Sequence, residues 1–320
     1  MIEIKNVLSL FDGMSCGKIA LNKYGIKYEN YFASEIEKSS IFVTKNNYPN
    51  TKHLGDIRVI NTSELPNIDL LIGGSPCQSF SFAGKKKGMS TKDNIEILTL
   101  DHYLEFKKQN FEFEGQSYLF WEYVRILKET KPKYFLLENV VMDKKWENVI
   151  SDVLNVRPIE INSRFFSCQN RRRLYWVGKF DGEKYVQIKI EQPEDKNIKY
   201  SDISSDNWFA GAMRGRRLNE LGKRCDNNKN IPIIQYIESR KDDKINCLST
   251  VGKDNIVSKQ KVDRIPVKDV EWRYLTRNEM ESAQTVPINY TISVSLNQAS
   301  KMLGNGWTID VIVHIFSYMF

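Results

Sequence analysis

The first third of the chain switches repeatedly between two hydrophobic periods, and this alternation constrains the fold more than any other feature. Lys5 to Phe11 is an apolar run ending in Asp12-Gly13, Cys16 to Tyr24 carries apolar residues at helical spacing before Gly25, and Tyr31 to Ser34 reads as strand again. Strands separated by helices align parallel, with the helices covering both faces of the sheet. Further strands are expected at Ile68 to Ile72, Tyr134 to Leu137, Glu160 to Phe166 and Leu174 to Gly178. Helices are expected at Lys38 to Asn46, Tyr118 to Lys128 and Lys145 to Leu154. The expected fold class is α/β: a doubly wound, mostly parallel, Rossmann-like sheet with an inserted smaller, irregular mixed domain.

Two stretches break the rhythm. Thr91 to Phe113 is rich in acids and lysines and reads as an insertion outside the sheet. From Phe180 to about Asp269 the pattern dissolves into short polar pieces with turn signals, which marks a second domain. Ile309 to Phe320 is strongly apolar and reads as a closing helix that packs back onto the first domain. The expected division is residues 1–179 and 295–320 for the first domain and 180–294 for the second.

With 320 residues there is ample chain for two domains and a sizeable core. A net charge of +7 is a modest bias toward a polyanionic partner and decides nothing about fold. The five cysteines show no CxxC spacing and there are three histidines, so no zinc site or disulfide framework is indicated and reduced, cytoplasmic thiols are expected. There is no secretory-signal pattern and no apolar run near about 18 residues, so neither a membrane nor a metal is expected as partner.

GGSPCQSFSFAGKKKG, from Gly73 to Gly88, places Cys77 in a Gly/Pro turn directly after a strand. Open α/β sheets bind ligands at such carboxyl ends, and Lys85, Lys86 and Lys87 favour a thiolate, so Cys77 reads as a nucleophile rather than a structural thiol. FDGMSCG, from Phe11 to Gly17, is a tight turn that lets a ligand approach the backbone. Glu35, about 20 residues on at the end of the next strand, suits a ribose. Asp56 could take the exocyclic amine of an adenine or serve only as a helix cap. Glu138 projects from the end of the run YFLLE, where an ion pair is its usual fate and polarising a ring opposite Cys77 is the functional alternative. Arg171 and Arg173 alternate at the head of a strand and so should share a face.

In this order the motifs resemble the DNA cytosine methyltransferases that act on carbon 5 of the base. The resemblance covers nearly the whole catalytic part and rests on FDGMSCG, Glu35, Asp56-Ile57, GSPCQ, Glu138-Asn139-Val140, the QxRxR of Gln169, Arg171 and Arg173, the RxLTxxE of Arg273 to Glu279, and LGNGW at Leu303 to Trp307. It implies a Rossmann-like fold that binds S-adenosylmethionine and releases S-adenosylhomocysteine. The implied cofactor residues are Phe11, Gly13, Met14, Ser15, Cys16, Gly17, Glu35, Ile36, Asp56, Ile57, Gly74, Pro76, Leu119, Asn305, Gly306 and Trp307. The implied chemistry adds the Cys77 thiolate to carbon 6 of a cytosine flipped out of duplex DNA. Glu138, carrying a proton, stabilises ring nitrogen 3, and Arg173, supported by Arg171, holds the carbonyl oxygen and Glu138.

DNA contacts are expected from Gln78, Ser81, Ala83, Lys85 and Lys87 in the cysteine loop. Ala83 stands where relatives carry a small polar residue. More are expected from Arg214, Arg216 and Arg217, beside Lys223 and Arg224, in a target-recognition region at about 183–270. FDGxxxG in place of FxGxGG, EGQSYLF before the Leu119-Phe120 helix, and Gly306-Trp307 are similar to the branch of phage-borne and eukaryotic de novo enzymes. A monomer is expected, encoded by a bacterium or phage, and a cognate restriction endonuclease is a partner such enzymes can have. Two other readings stay open: an RNA-directed relative acting on transfer RNA, and a DNA-binding protein that kept the fold without activity.

Overall fold

The computed structural model describes residues 4–77, 88–249 and 251–320. Gln78, Ser81, Ala83, Lys85 and Lys87 therefore lie outside the described residues. The chain divides into two compact units: Met1–Ile161, Arg172–Pro193 and Ile309–Phe320 form the first, Asn162–Arg171 and Glu194–Thr308 the second.

In the first unit β1 (Asn6–Leu10), α1 (Cys16–Tyr24), β2 (Asn30–Ser34), α2 (Lys38–Asn47), β3 (Lys52–His53) and β4 (Leu70–Gly74) follow the alternation read from the sequence. Next come α3 (Leu100–Lys108), α4 (Phe120–Thr130), β5 (Tyr134–Val140), α5 (Lys144–Leu154), β6 (Ile159–Asn162), β7 (Arg172–Phe180) and β8 (Tyr185–Gln187). The sheet order is β3-β2-β1-β4-β5-β7-β6, with β8 added to β7. β1 to β5 pair in parallel, whereas β7 runs antiparallel to β5. Leu70 to Ile72 and Tyr134 to Leu137 are buried, as strands covered on both faces must be. α4 faces them with Phe120, Tyr123, Val124 and Leu127, the spacing of one helical stripe.

The segment 91–113 stands outside the sheet, as expected, but it is part of the core. Leu100, Tyr103 and Phe106 of α3 join the same cluster as Trp121, Tyr123 and Phe135. Their i, i+3, i+6 stripe is masked in the sequence by the acids and lysines of the outer face. Gly88, at φ +62°, lies so close to Trp146 that a methyl group there would come 1.8 Å from the indole. No other residue type fits that position without moving the ring.

The second unit is an antiparallel sheet of β9 (Phe209–Arg216), β10 (Ile234–Ser239), β11 (Ile256–Ser258), β12 (Ile265–Pro266) and β13 (Trp272–Tyr274), ordered β12-β10-β9-β11-β13. Two helices follow, α6 (Arg277–Ala283) and α7 (Leu296–Asn305). α6 starts on a capping box in which Thr276 Oγ1 accepts from the Glu279 amide and Glu279 accepts from the Thr276 amide. The chain then returns to the first unit as α8 (Ile309–Met319), whose apolar face packs on α1. Among the described residues no helix is long and apolar enough to cross a membrane, and no group of three His, Cys, Asp or Glu could hold a metal.

Candidate active site

The turn after β1 is built from left-handed residues: Phe11 at φ 56°, Gly13 at 57° and Ser15 at 64°. Two of the three have a Cβ, and that conformation persists only where neighbours enforce it. The enforcing group is Asp12, buried beneath the turn, whose carboxylate accepts from Ser15 Oγ at 2.5 Å and Tyr31 Oη at 2.7 Å. Ser15 Oγ also meets Thr44 Oγ1 at 3.0 Å, which ties the turn to α2. The side chains of Met14, Ser15 and Cys16 face inward, so the turn presents main chain to a ligand. Gly17 has no room for a side chain, since a methyl there would come 2.2 Å from Ile72 Cδ1.

Glu35 follows β2 and is fixed by three backbone donors. Its Oε2 accepts from Gly13 N at 2.8 Å, and its Oε1 accepts from Ile36 N at 2.7 Å and Glu37 N at 2.8 Å. Ile36 beside it is 62 % exposed, a large apolar side chain left open at the carboxyl end of the sheet. Asp56 caps the short 3-10 turn Ile57–Val59 and grips the Arg58 guanidinium through both oxygens, a hydrogen-bonded partner that holds its carboxyl below the usual value. Thus Glu35 and Asp56 offer acids, Ile36 offers an apolar face, and the Phe11–Gly17 turn offers backbone. That chemistry fits a nucleoside-bearing methyl donor, with hydroxyls and an exocyclic amine for the acids.

Burial pushes the Asp12 carboxyl up to about 6 from 3.8, against the lowering effect of its hydrogen bonds to Ser15 and Tyr31. A raised carboxyl makes the folded state the better proton acceptor, so its contribution to stability falls as pH rises from about 4 to 6. Asp12→Asn removes that dependence. Its unfolding free energy relative to the parent is expected to rise by about 2 kcal/mol between pH 4 and pH 7. Urea melts at both pH values check this, and a pH-independent difference contradicts it.

At the centre of the sheet, register brings Glu138, Arg173 and the Cys77 turn together. Gly74 of β4 pairs with Glu138 of β5, so Ser75, Pro76 and Cys77 run on from the strand next to Glu138. Asn139 holds this turn through Nδ2 to Ser75 O at 3.2 Å and Ser75 Oγ at 3.0 Å. Across the antiparallel pair Glu138 faces Tyr175, which makes Arg173 its diagonal neighbour. Arg173 Nε lies 3.0 Å from Glu138 Oε1, with both side chains largely buried. Cys77 is half-buried, not a core thiol.

The expectation that Arg171 shares a face with Arg173 does not hold. β7 begins at Arg172, and Arg171 belongs to the second unit. Its buried guanidinium donates to Leu248 O at 3.1 Å, Gly304 O at 3.1 Å and Gly306 O at 2.8 Å. Gln169 is also buried there, accepting from Leu248 N at 2.7 Å and donating to Ala283 O at 3.1 Å. These two residues brace α7 and the turn that carries Asn305, Gly306 and Trp307, with Trp307 buried. Arg273 and Tyr200 Oη both bind Glu279, whose carboxyl stays low although burial works to raise it.

On β9, Arg214 pairs with Asp254, and Arg216 is bidentate to Glu238 at 2.9 Å. Arg217 Nε donates to Ile231 O at 2.9 Å. Each guanidinium is therefore held in a fixed direction by an acid or a carbonyl. Asp12 and Asn139 lay inside motifs that sequence reasoning quoted, but their roles were missed. Burial of Asp12 and the reach of Asn139 to Ser75 are visible only once β1, β4 and β5 are placed side by side.

Solved structures share this architecture. The Entamoeba histolytica methyltransferase EhMeth is 15 % identical, covers 100 % of this chain and 98 % of its own, and has a TM-score of 0.66. The S. pombe Dnmt2 methyltransferase is 16 % identical, covers 98 % and 97 %, and has a TM-score of 0.63. The fold is thus that of the methyltransferases. Residues 5–320 match the model of the C-5 cytosine-specific DNA methylases, and the chain belongs to that family. It is 36 % identical over 238 residues to the orphan methyltransferase M.SPRI of Bacillus phage SPR, covering 67 % of this chain and 49 % of that protein. It is 29 % identical to the type II methyltransferase M1.ScrFI of Lactococcus lactis subsp. cremoris, covering 96 % of this chain and 75 % of that protein. The chain spans less than half the length of M.SPRI and of the orphan methyltransferase M.Rho11sI of Bacillus phage rho11s, where the share is 43 %.

Proposed function

We propose that the protein methylates carbon 5 of cytosine in double-stranded DNA with S-adenosylmethionine as donor. The observation that carries this reading is the Glu138–Arg173 pair, set on adjacent strands beside the turn that Asn139 holds for Cys77. Carbon 5 of cytosine is a poor nucleophile until a thiolate adds to carbon 6. Cys77 makes that bond and leaves again once the proton on carbon 5 has gone. Glu138 hydrogen-bonds ring nitrogen 3 and the exocyclic amine as charge builds on the ring, and Arg173 holds the Glu138 carboxyl in place. S-adenosylmethionine, held by the Phe11–Gly17 turn, Glu35, Ile36 and Asp56, would supply the electrophilic methyl group.

A base inside a duplex cannot reach such a site, so the target cytosine is turned out of the helix. The first unit carries catalysis, and the second, with Arg214 and Arg216 on β9 and Arg217 directly after it, reads the target. The acid partners of Arg214 and Arg216 and the carbonyl partner of Arg217 orient these side chains and leave further donors of each five-donor fork for phosphate or guanine. Arg171 acts as a positioning residue for the Gly304–Gly306 main chain. We assign the chain to the group of restriction-associated or stand-alone enzymes that act as monomers inside the cell.

Bisulfite sequencing of DNA from cells expressing the protein tests the proposal, because it reports base and sequence context together. The expected result is protected cytosines confined to one short sequence. DNA without protection, alongside methyl transfer to RNA by the purified protein, would overturn it.

A further inference from the structure

Glu122 is a carboxylate with no solvent exposure, in the first turn of α4, that the chemistry above does not use. It accepts from Tyr103 Oη at 2.6 Å, Lys107 Nζ at 2.5 Å and Arg125 Nε at 2.7 Å. Two of these donors reach past it to the turn that follows β3. Lys107 Nζ donates to Arg58 O at 3.2 Å, and Arg125 donates to Ile57 O at 3.1 Å and Ile60 O at 3.4 Å. Three main-chain carbonyls in four residues are thus gripped by cations anchored on one buried acid. Arg58 in turn holds Asp56 through its guanidinium, so the network ends on a carboxylate assigned to the cofactor.

A buried ionic cluster is weak evidence for stability, because desolvation offsets most of its attraction. It is better suited to fixing geometry, since each group has one arrangement that satisfies all the others. α3, the helix hidden in the charged segment 91–113, supplies Tyr103 and Lys107 to that arrangement.

We infer that Glu122, Lys107 and Arg125 are positioning residues for the adenosine half of the methyl donor, acting through the Asp56–Ile60 turn. The inference rests on the cofactor reading given above. The bonds of Glu122, Lys107 and Arg125 converge on the Ile57–Ile60 main chain after β3, whereas Cys77 follows β4, so the inference separates cofactor capture from methyl transfer.

The test uses the full chain and S-adenosylhomocysteine as probe, titrated by calorimetry. Lys107→Met, at a side chain 36 % exposed, is expected to keep the fold and to weaken S-adenosylhomocysteine binding by about tenfold. Lys107→Arg should restore binding to within about twofold, as it retains the charge and the reach. In steady state, KM for S-adenosylmethionine should rise by a similar factor in Lys107→Met while kcat at saturating cofactor is retained. A purely structural role would instead lower the melting temperature and leave the affinity of the folded fraction unchanged. Binding by Lys107→Met within about twofold of the parent overturns the inference and leaves the cofactor reading standing. A parent protein that fails to bind S-adenosylhomocysteine overturns both. Glu122→Gln, which removes the anchor of both cations, should show the larger loss of affinity if it folds.

Discussion

Cys77→Ser is expected to lower methyl transfer by a factor on the order of 10⁴, with S-adenosylhomocysteine affinity and melting temperature close to those of the parent. The size of the loss follows from chemistry. A serine hydroxyl is almost wholly protonated near neutral pH, whereas an ordinary cysteine thiol, with a pKa near 8.5, already supplies some thiolate. The selectivity of the loss follows from placement. Cys77 is half-buried at the end of a turn held by Asn139, so the exchange of sulfur for oxygen disturbs no packed core. The proposed cofactor groups Glu35 and Asp56 sit on the turns after β2 and β3, whereas Cys77 follows β4. Single-turnover methylation of a duplex, together with calorimetry, checks both halves. Activity above a few per cent of the parent contradicts the nucleophile assignment.

Glu138→Gln is expected to reduce the single-turnover rate by about 10²- to 10⁴-fold, the range lost when a positioned acid is removed. Glutamine keeps the shape and can still accept from Arg173 Nε, so the fold should survive with a modest fall in melting temperature. What it cannot do is give a proton to ring nitrogen 3. Arg173→Ala tests the other side of the pair. It removes a largely buried guanidinium from a largely buried carboxylate, and breaking such a pair costs about 3–5 kcal/mol. Arg173→Lys should recover little of the activity. Its ammonium cannot make both the Nε contact to Glu138 and the Nη1 contact to Arg172 O at 2.8 Å. A Glu138→Gln rate within tenfold of the parent would remove Glu138 from the chemistry.

Much of the first unit is legible in the sequence because its elements obey one period each. α1 runs from Cys16 to Tyr24 and ends on Gly25 at φ 90°, as its apolar spacing and terminal glycine require. Cys77 and Glu138 stand past or near the ends of apolar runs, which marks them as residues at a sheet's carboxyl edge. The pairing of Glu138 with Arg173 is implied by the family resemblance and not by period or spacing, since its geometry depends on β7 turning antiparallel and on a register that sets Glu138 opposite Tyr175. α3 was not readable for a different reason. Its buried stripe of Leu100, Tyr103 and Phe106 is interleaved with Asp101, Glu105, Lys107 and Lys108, so charge dominates the pattern. Arg171 shows where period-two reasoning fails: the strand starts one residue later than the arginines suggest, and the side chain turns to the Leu248, Gly304 and Gly306 carbonyls. In the second unit β11, β12 and β13 are two or three residues long, too short to leave any periodic signal.

The most direct measurement is covalent trapping on a duplex whose target cytosine carries fluorine at carbon 5. Fluorine cannot leave as a cation, so after methyl transfer the carbon–sulfur bond at carbon 6 has no route to break. Peptide mapping by mass spectrometry is then expected to place the methylated, fluorinated nucleotide on Cys77, and only when S-adenosylmethionine is present. No adduct, or one on Cys16, Cys168, Cys225 or Cys247, would contradict the account.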